Sequence, residues 1–165
     1  MGIVRYRIKC SLLRIQQRLT LIALRQKNDG DKGTALCCIG KNENRYVREF
    51  VEWYRKIGFS RIFIYDNNDP DGERFESVIQ DYIDDGFVEI TDFRGRKICQ
   101  METYQDCYLK HRSEYGWMAF FDMDEFLDLK QDRNVGEFLS RDIFRRCDLI
   151  HINWICYGDN GHLHY

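Results

Sequence analysis

A chain of 165 residues with 44% hydrophobic and 15% aromatic content can bury one real core, which excludes a disordered or fibrous protein. Its net charge of -2 hides a division: residues 1–32 carry eight Lys/Arg against two Asp, +6, and the remainder 17 against 25, -8. A domain with an acidic body is not expected to bind nucleic acid, and no apolar run nears the roughly 18 residues of a membrane span.

In chain order, Ile8, Leu12, Ile15, Leu19 and Ile22 recur at four and three residues, the seam of an amphipathic helix, with Arg7, Arg14, Arg18 and Arg25 flanking it. Such a basic leader suits an anionic membrane surface, and equally a docking face on its own domain or on a partner chain. Residues 27–33, K-N-D-G-D-K-G, read as a linker, so the division is a leader over 1–32 and a domain over 33–165. Residues 34–39, T-A-L-C-C-I, have strand length. From 45 to 57 the apolar set Tyr46, Phe50, Trp53 and Ile57, with Val47, Val51 and Tyr54, forms one helical face, capped by Gly58. Residues 61–65, R-I-F-I-Y, are a second strand, running into the turn-forming D-N-N-D-P-D-G.

Phe75, Val78, Ile79, Tyr82 and Ile83 predict a helix closed by Gly86, and residues 87–90 a third strand. A helix over 100–115 is expected to carry Met101, Tyr104, Tyr108 and Tyr115 inward. The fourth strand opens W-M-A-F-F-D-M-D-E-F-L-D-L, where an apolar run ends in acids. A short helix over 135–140 and a later strand over 149–155 complete the reading. Alternation of strand and helix at this spacing predicts an α/β fold with a mostly parallel sheet.

The cysteines, seven in number and without a C-x-x-C pair, sit mostly in apolar segments, as reduced core thiols do on the cytosolic side. No N-x-S/T sequon occurs, and Arg14, Gln16, Gln17 and Arg18 interrupt the one stretch that a cleaved signal could use. The expected location is cytoplasmic, with peripheral attachment to the inner face of a membrane as the leader's contribution.

Ligands of open α/β sheets bind beyond the carboxyl ends of the strands. Three such ends are polar here: Lys41, Asn42 and Glu43 after the first strand, Asp66, Asn67 and Asn68 after the second, Asp122, Asp124 and Glu125 after the fourth. Asp122 and Asp124, with Met123 between them, project to one side and suit a shared divalent cation. Neither G-x-G-x-x-G after the first strand nor a P-loop is present, which disfavours a glycine-rich phosphate cradle. A site rich in carboxylates suits a nucleotide whose base and ribose meet Asp/Asn side chains and whose pyrophosphate is neutralised by a metal.

The run K-N-E-N-R-Y-V-R-E-F-V-E-W-Y-R-K-I-G-F, then I-F-I-Y-D-N-N-D, Q-M-E-T-Y-Q-D-C, W-M-A-F-F-D-M-D-E-F-L and I-N-W-I-C-Y-G-D-N-G-H resembles glycosyltransferase family 92 and the family 2-like enzymes of GT-A fold. The resemblance covers residues 36–162. It implies a metal-dependent glycosyltransferase of polysaccharide or lipopolysaccharide biosynthesis. The hexosyl group would pass, with inversion, from a nucleotide-diphosphate sugar, a UDP-sugar in expectation, to a saccharide or lipid-linked acceptor. By the same resemblance Lys41, Asn42 and Glu43 lie under the nucleotide, Asp66 reads the base beside Asn67 and Asn68, and Gln100 and Asp106 face the ribose or diphosphate. Asp122 and Asp124 would hold Mn²⁺ or Mg²⁺, and Trp154, Gly158 and His162 would line the sugar and acceptor side. Read without the resemblance, Asn67 and Asn68 serve equally as turn residues, Trp154 as core and His162 as a solvated residue. Glu125 is the nearest candidate for the base that an inverting transfer requires.

Family members continue well past the last motif, whereas this chain has eleven residues after Trp154. A donor-holding remnant or subunit that transfers nothing is therefore the alternative expectation. A haloacid dehalogenase-like phosphatase is a weaker one, because its D-x-D belongs on the first strand and not on the fourth.

Overall fold

The computed structural model describes residues 32–153, 155 and 156. Residues 1–31 of the leader predicted over 1–32, Trp154, and the Gly158 to His162 turn lie outside the described residues. Four strands, β1 (Thr34–Gly40), β2 (Arg61–Asp66), β3 (Val88–Asp92) and β4 (Trp117–Phe120), form one sheet in the order β3-β2-β1-β4. Every pairing is parallel, with Gly40 opposite Asp66, Asp66 opposite Asp92 and Cys37 opposite Phe120. Between the strands run α1 (Val47–Lys56), α2 (Glu76–Asp84) and α3 (Gln100–His111); α4 (Val135–Leu139) and a 3-10 turn (Asp142–Phe144) follow β4.

Side chains alternate across a strand, so each face of β1 and β2 needs its own cover. Leu36, Cys38, Ile62 and Ile64 pack with Phe50, Val51 and Tyr54 of α1 and Ile79 of α2. On the other face Ala35, Cys37, Phe63 and Tyr65 pack with Phe93, Cys99 and Cys107, the last two at the start and middle of α3. Cys37, Cys38, Cys99 and Cys107 are buried free thiols, as the sequence suggests, while Cys147 is half-buried and Cys156 exposed. Burial pushes the thiols of Cys37 and Cys38 up, in Cys37 behind the hydrogen bond with Cys107, so both stay protonated and unreactive. Among the described residues no helix is long and apolar enough to cross a membrane.

Three expectations need correction. Met101 does not point inward: it is 77% exposed. Because α3 starts at Gln100, Thr103 and Cys107, four apart, set its buried face, and Met101, about 200° away from Thr103 at 100° per residue, falls on the opposite side. The helix also stops at His111, short of Tyr115. Finally, residues 149–153 of the predicted last strand form no regular structure, and Leu149, Ile152 and Ile155 are exposed. An apolar alternation becomes a strand only with a ladder partner, and none of the described residues supplies one.

Candidate functional site

The sheet order places the reversal of winding between β1 and β4, the point where open α/β sheets hold ligands. A cavity of about 400 Å³ lies at the carboxyl end of β1. Ile39, Gly40 and Lys41 form one wall, Asn67 after β2 another, and Ile98, Cys99, Gln100 and Met101 at the start of α3 a third. Sequence reasoning found Lys41, Asn67 and Gln100 but not the apolar wall. Ile98 carries φ +53° and is fully exposed; a β-branched residue seldom takes that conformation, and nothing in its composition announces it.

The loops after β1 and β2 are tied together by the residues expected to meet a nucleotide. The Asn42 N–H donates to Asn68 Oδ1 at 2.7 Å, and Asn68 in turn donates its own N–H and Nδ2 to Asp66 Oδ1 at 2.9 and 2.7 Å. Asn42 sits at φ +61°, which asparagine accepts more readily than most residues. The Lys41 ammonium pairs with Asp69 at 2.7 Å. Asn67 donates Nδ2 to the Phe93 and Arg96 carbonyls, both at 3.0 Å, and so is held at the cavity wall by the loop after β3.

Asp66 and Asn68 are wholly buried. The second oxygen of Asp66 accepts from Arg94, Nε at 2.8 Å and a terminal nitrogen at 2.6 Å. In this arrangement Asp66 holds the loop instead of presenting an edge to a base, and Arg94 is a residue that sequence reasoning missed. Asp106 is not among the residues that line the cavity: its Oδ2 accepts from the Tyr65 hydroxyl and the Lys110 ammonium, both at 2.7 Å. Burial opposes its ionisation, but these two partners prevail and hold its carboxyl below the usual range.

Asp122 and Asp124 are exposed on either side of the buried Met123 in the turn that follows β4. A Cβ at Gly40 would stand 2.6 Å from Met123 Cε and 2.9 Å from the Phe75 ring, so any larger residue there would have to displace Met123 and the buried Phe75 ring. Asp122 Oδ1 accepts from Gln100 Nε2 at 2.8 Å and from the Tyr104 hydroxyl at 3.1 Å. Gln100 therefore links the acid to the cavity it lines. Glu125 folds back over the turn, its Oε2 accepting the Asp122 N–H at 2.9 Å. Burial first, then the charges of Asp124 and Glu73, push the Glu43 carboxyl above its usual range, which marks an electronegative spot between the loops after β1 and β4.

The described residues contain no group of three or more His, Cys, Asp or Glu able to cage a metal by themselves. The exposed carboxylates of Asp122 and Asp124, in one turn, have the donor chemistry that would suit Mg²⁺ or Mn²⁺, which keep waters and take further oxygens from substrate phosphates.

A parallel sheet with a strand-end cavity and an acidic turn beside its winding reversal is the layout of a GT-A-like domain. The family model Glycosyltransferase family 92 matches residues 33–157, and the chain belongs to that family. A glycosyltransferase family 92 protein of Ricinus communis is 33% identical over 102 residues, 62% of this chain and 18% of that protein. One of Oryza sativa subsp. japonica is 30% identical over 105 residues, 63% and 18%, and one of Arabidopsis thaliana 28% identical over 125 residues, 70% and 20%. The chain thus spans about a fifth of the length of these curated relatives. No solved structure gives a significant match.

Proposed function

We propose that this domain holds the nucleotide-diphosphate sugar, in the first place a UDP-sugar, for metal-dependent glycosyl transfer to a saccharide or lipid-linked acceptor. The observation that carries the reading is the link from the cavity through Gln100 to Asp122, which joins a nucleotide-sized space to a carboxylate at the winding reversal. Family membership supports it independently. Asn67 and Gln100 would contact the nucleotide, with Ile98 and Met101 as its apolar wall. Asp66, Asn68 and Asn42 would keep the loops in shape around it. Asp122 and Asp124 would hold Mn²⁺ or Mg²⁺, which supplies charge to the departing diphosphate.

With inversion of the anomeric carbon, a base must deprotonate the acceptor hydroxyl. Among the described residues Glu125 stays the candidate, fixed beside Asp122 by its contact with the backbone N–H. The phosphatase alternative gains nothing, because the acids follow the last strand of the sheet at its edge.

Calorimetric titration of UDP-sugar with and without Mn²⁺ tests the proposal. Asp122→Asn and Asp124→Asn are expected to weaken the metal-dependent part of binding at least about tenfold, about 1.4 kcal/mol. The metal-free melting temperature should hold or rise, since neighbouring carboxylates repel. Equal binding with and without metal in the unsubstituted chain would refute the metal's role. A donor that binds but is never transferred would favour the non-catalytic subunit.

A further inference from the structure

We propose that Tyr104 is a positioning residue which, together with Gln100, presets the Asp122 carboxylate for its cation; the inference rests on the metal-dependent reading above. Gln100 Nε2 donates to both the Tyr104 hydroxyl, at 3.1 Å, and Asp122 Oδ1, at 2.8 Å, using its two protons. The hydroxyl, having accepted one of these, spends its own proton on the same Oδ1 at 3.1 Å. The three groups close a ring of hydrogen bonds in which only one orientation of the amide works, because its oxygen would repel the carboxylate.

Oδ1 thereby takes two donors and Oδ2 is the oxygen left for coordination. The ring of Tyr104 is itself set against β4, 5.2 Å from the Phe120 ring, two residues before the acid it holds. Residues 100 and 104 lie one helical turn apart on α3, so they reach the same oxygen from a rigid element. The acid, in contrast, sits in a turn with two exposed residues of its own motif, where an unheld carboxylate would sample several rotamers.

Tyr104→Phe keeps the ring and removes the hydroxyl. Free Mn²⁺ followed by electron paramagnetic resonance, titrated into the chain with UDP present, reads the effect directly. Partners that orient a metal ligand are worth about 10- to 100-fold in metal affinity, so Tyr104→Phe is expected to raise the Mn²⁺ dissociation constant by about tenfold. UDP binding without metal and the melting temperature should not move, since the lost bond faces water. Gln100→Leu removes the other donor and should raise the Mn²⁺ dissociation constant with the same sign, while its metal-free UDP binding is expected to fall as well, because Gln100 also lines the cavity.

Mn²⁺ affinity unchanged in both variants, beside a loss in Asp122→Asn, overturns the inference and leaves the metal reading intact. Affinity unchanged in Asp122→Asn, or absent from the unsubstituted chain, overturns both. A fall in metal-free UDP binding and melting temperature that matches the loss of Mn²⁺ affinity assigns Tyr104 to packing and also overturns the inference.

Discussion

Asp66 and Arg94 show how one residue type can mean two things. A carboxylate after a β-strand at the ligand edge is as good an acceptor for a base as for its own loop, and D-N-N-D reads alike in both cases. The structure spends all of it internally: Oδ1 on Asn68 and Oδ2 on Arg94, with the aspartate wholly buried and the arginine side chain one-tenth exposed. The Glu76 carboxylate, at 3.5 Å, is a weaker second partner of the same guanidinium. A buried pair of this kind need not add net stability, but removing one partner strands the other. Arg94→Met is therefore expected to cost about 3 kcal/mol in urea unfolding. Asp66→Asn and Arg94→Met together should cost less than the two changes summed, because the double variant leaves no lone charge. Additive losses would show that the pair is not the unit described. No pattern in the sequence announced Arg94, since its partner lies 28 residues away, with α2 and β3 between them in the chain.

At the scale of elements, the helix after β1 does more than cover the sheet. Tyr54 is buried in α1, and its hydroxyl donates to the Glu125 carbonyl at 2.8 Å and accepts the Leu127 N–H at 3.2 Å. Trp53 of the same helix donates Nε1 to the Leu127 carbonyl at 3.1 Å. Two adjacent aromatics thus pin the segment that continues the acidic turn, and Phe126 completes the contact edge-on to Phe50 and Trp53.

Tyr54→Phe leaves one part-buried backbone carbonyl and one N–H without this partner, so about 1 kcal/mol of stability is expected to go. The turn after β4 should become the first site of proteolytic cleavage, read by mass spectrometry of the fragments. Unchanged stability together with an unchanged cleavage pattern would contradict the anchoring role. The helix itself was legible, because Val47, Phe50, Val51 and Tyr54 recur on one face; that its two aromatic heads reach 71 to 74 residues along the chain was not. The strand expected over residues 149–155 failed for the complementary reason: alternation records a face, not a partner.

For the whole molecule, sequence sufficed for the order of strands and helices because each strand is a short apolar run and each crossover an amphipathic one. It sufficed also for the parallel sheet and for the three polar strand ends. What it left out is which of those polar groups remain available once the loops close on each other. The side chains of Asn68 and Asp66, with the backbone N–H of Asn42, are consumed in the clasp between β1 and β2, Asp106 by Tyr65 and Lys110, and the cavity gains an apolar wall from Ile98 and Met101. The proposed donor site runs from Asn67 through Gln100 to Asp122, across the carboxyl ends of β2, β1 and β4.

Mn²⁺ broadens nuclear magnetic resonance signals near it, and so locates itself. With UDP bound to the isotopically labelled chain, substoichiometric Mn²⁺ is expected to broaden first the amides of residues 122–125, then those of 40–43 and 98–101, together with both phosphorus signals of the nucleotide, and Asp122→Asn should abolish the pattern. Broadening centred elsewhere in the chain, or broadening of the phosphorus signals with residues 122–125 untouched, would contradict a donor site built on the acidic turn.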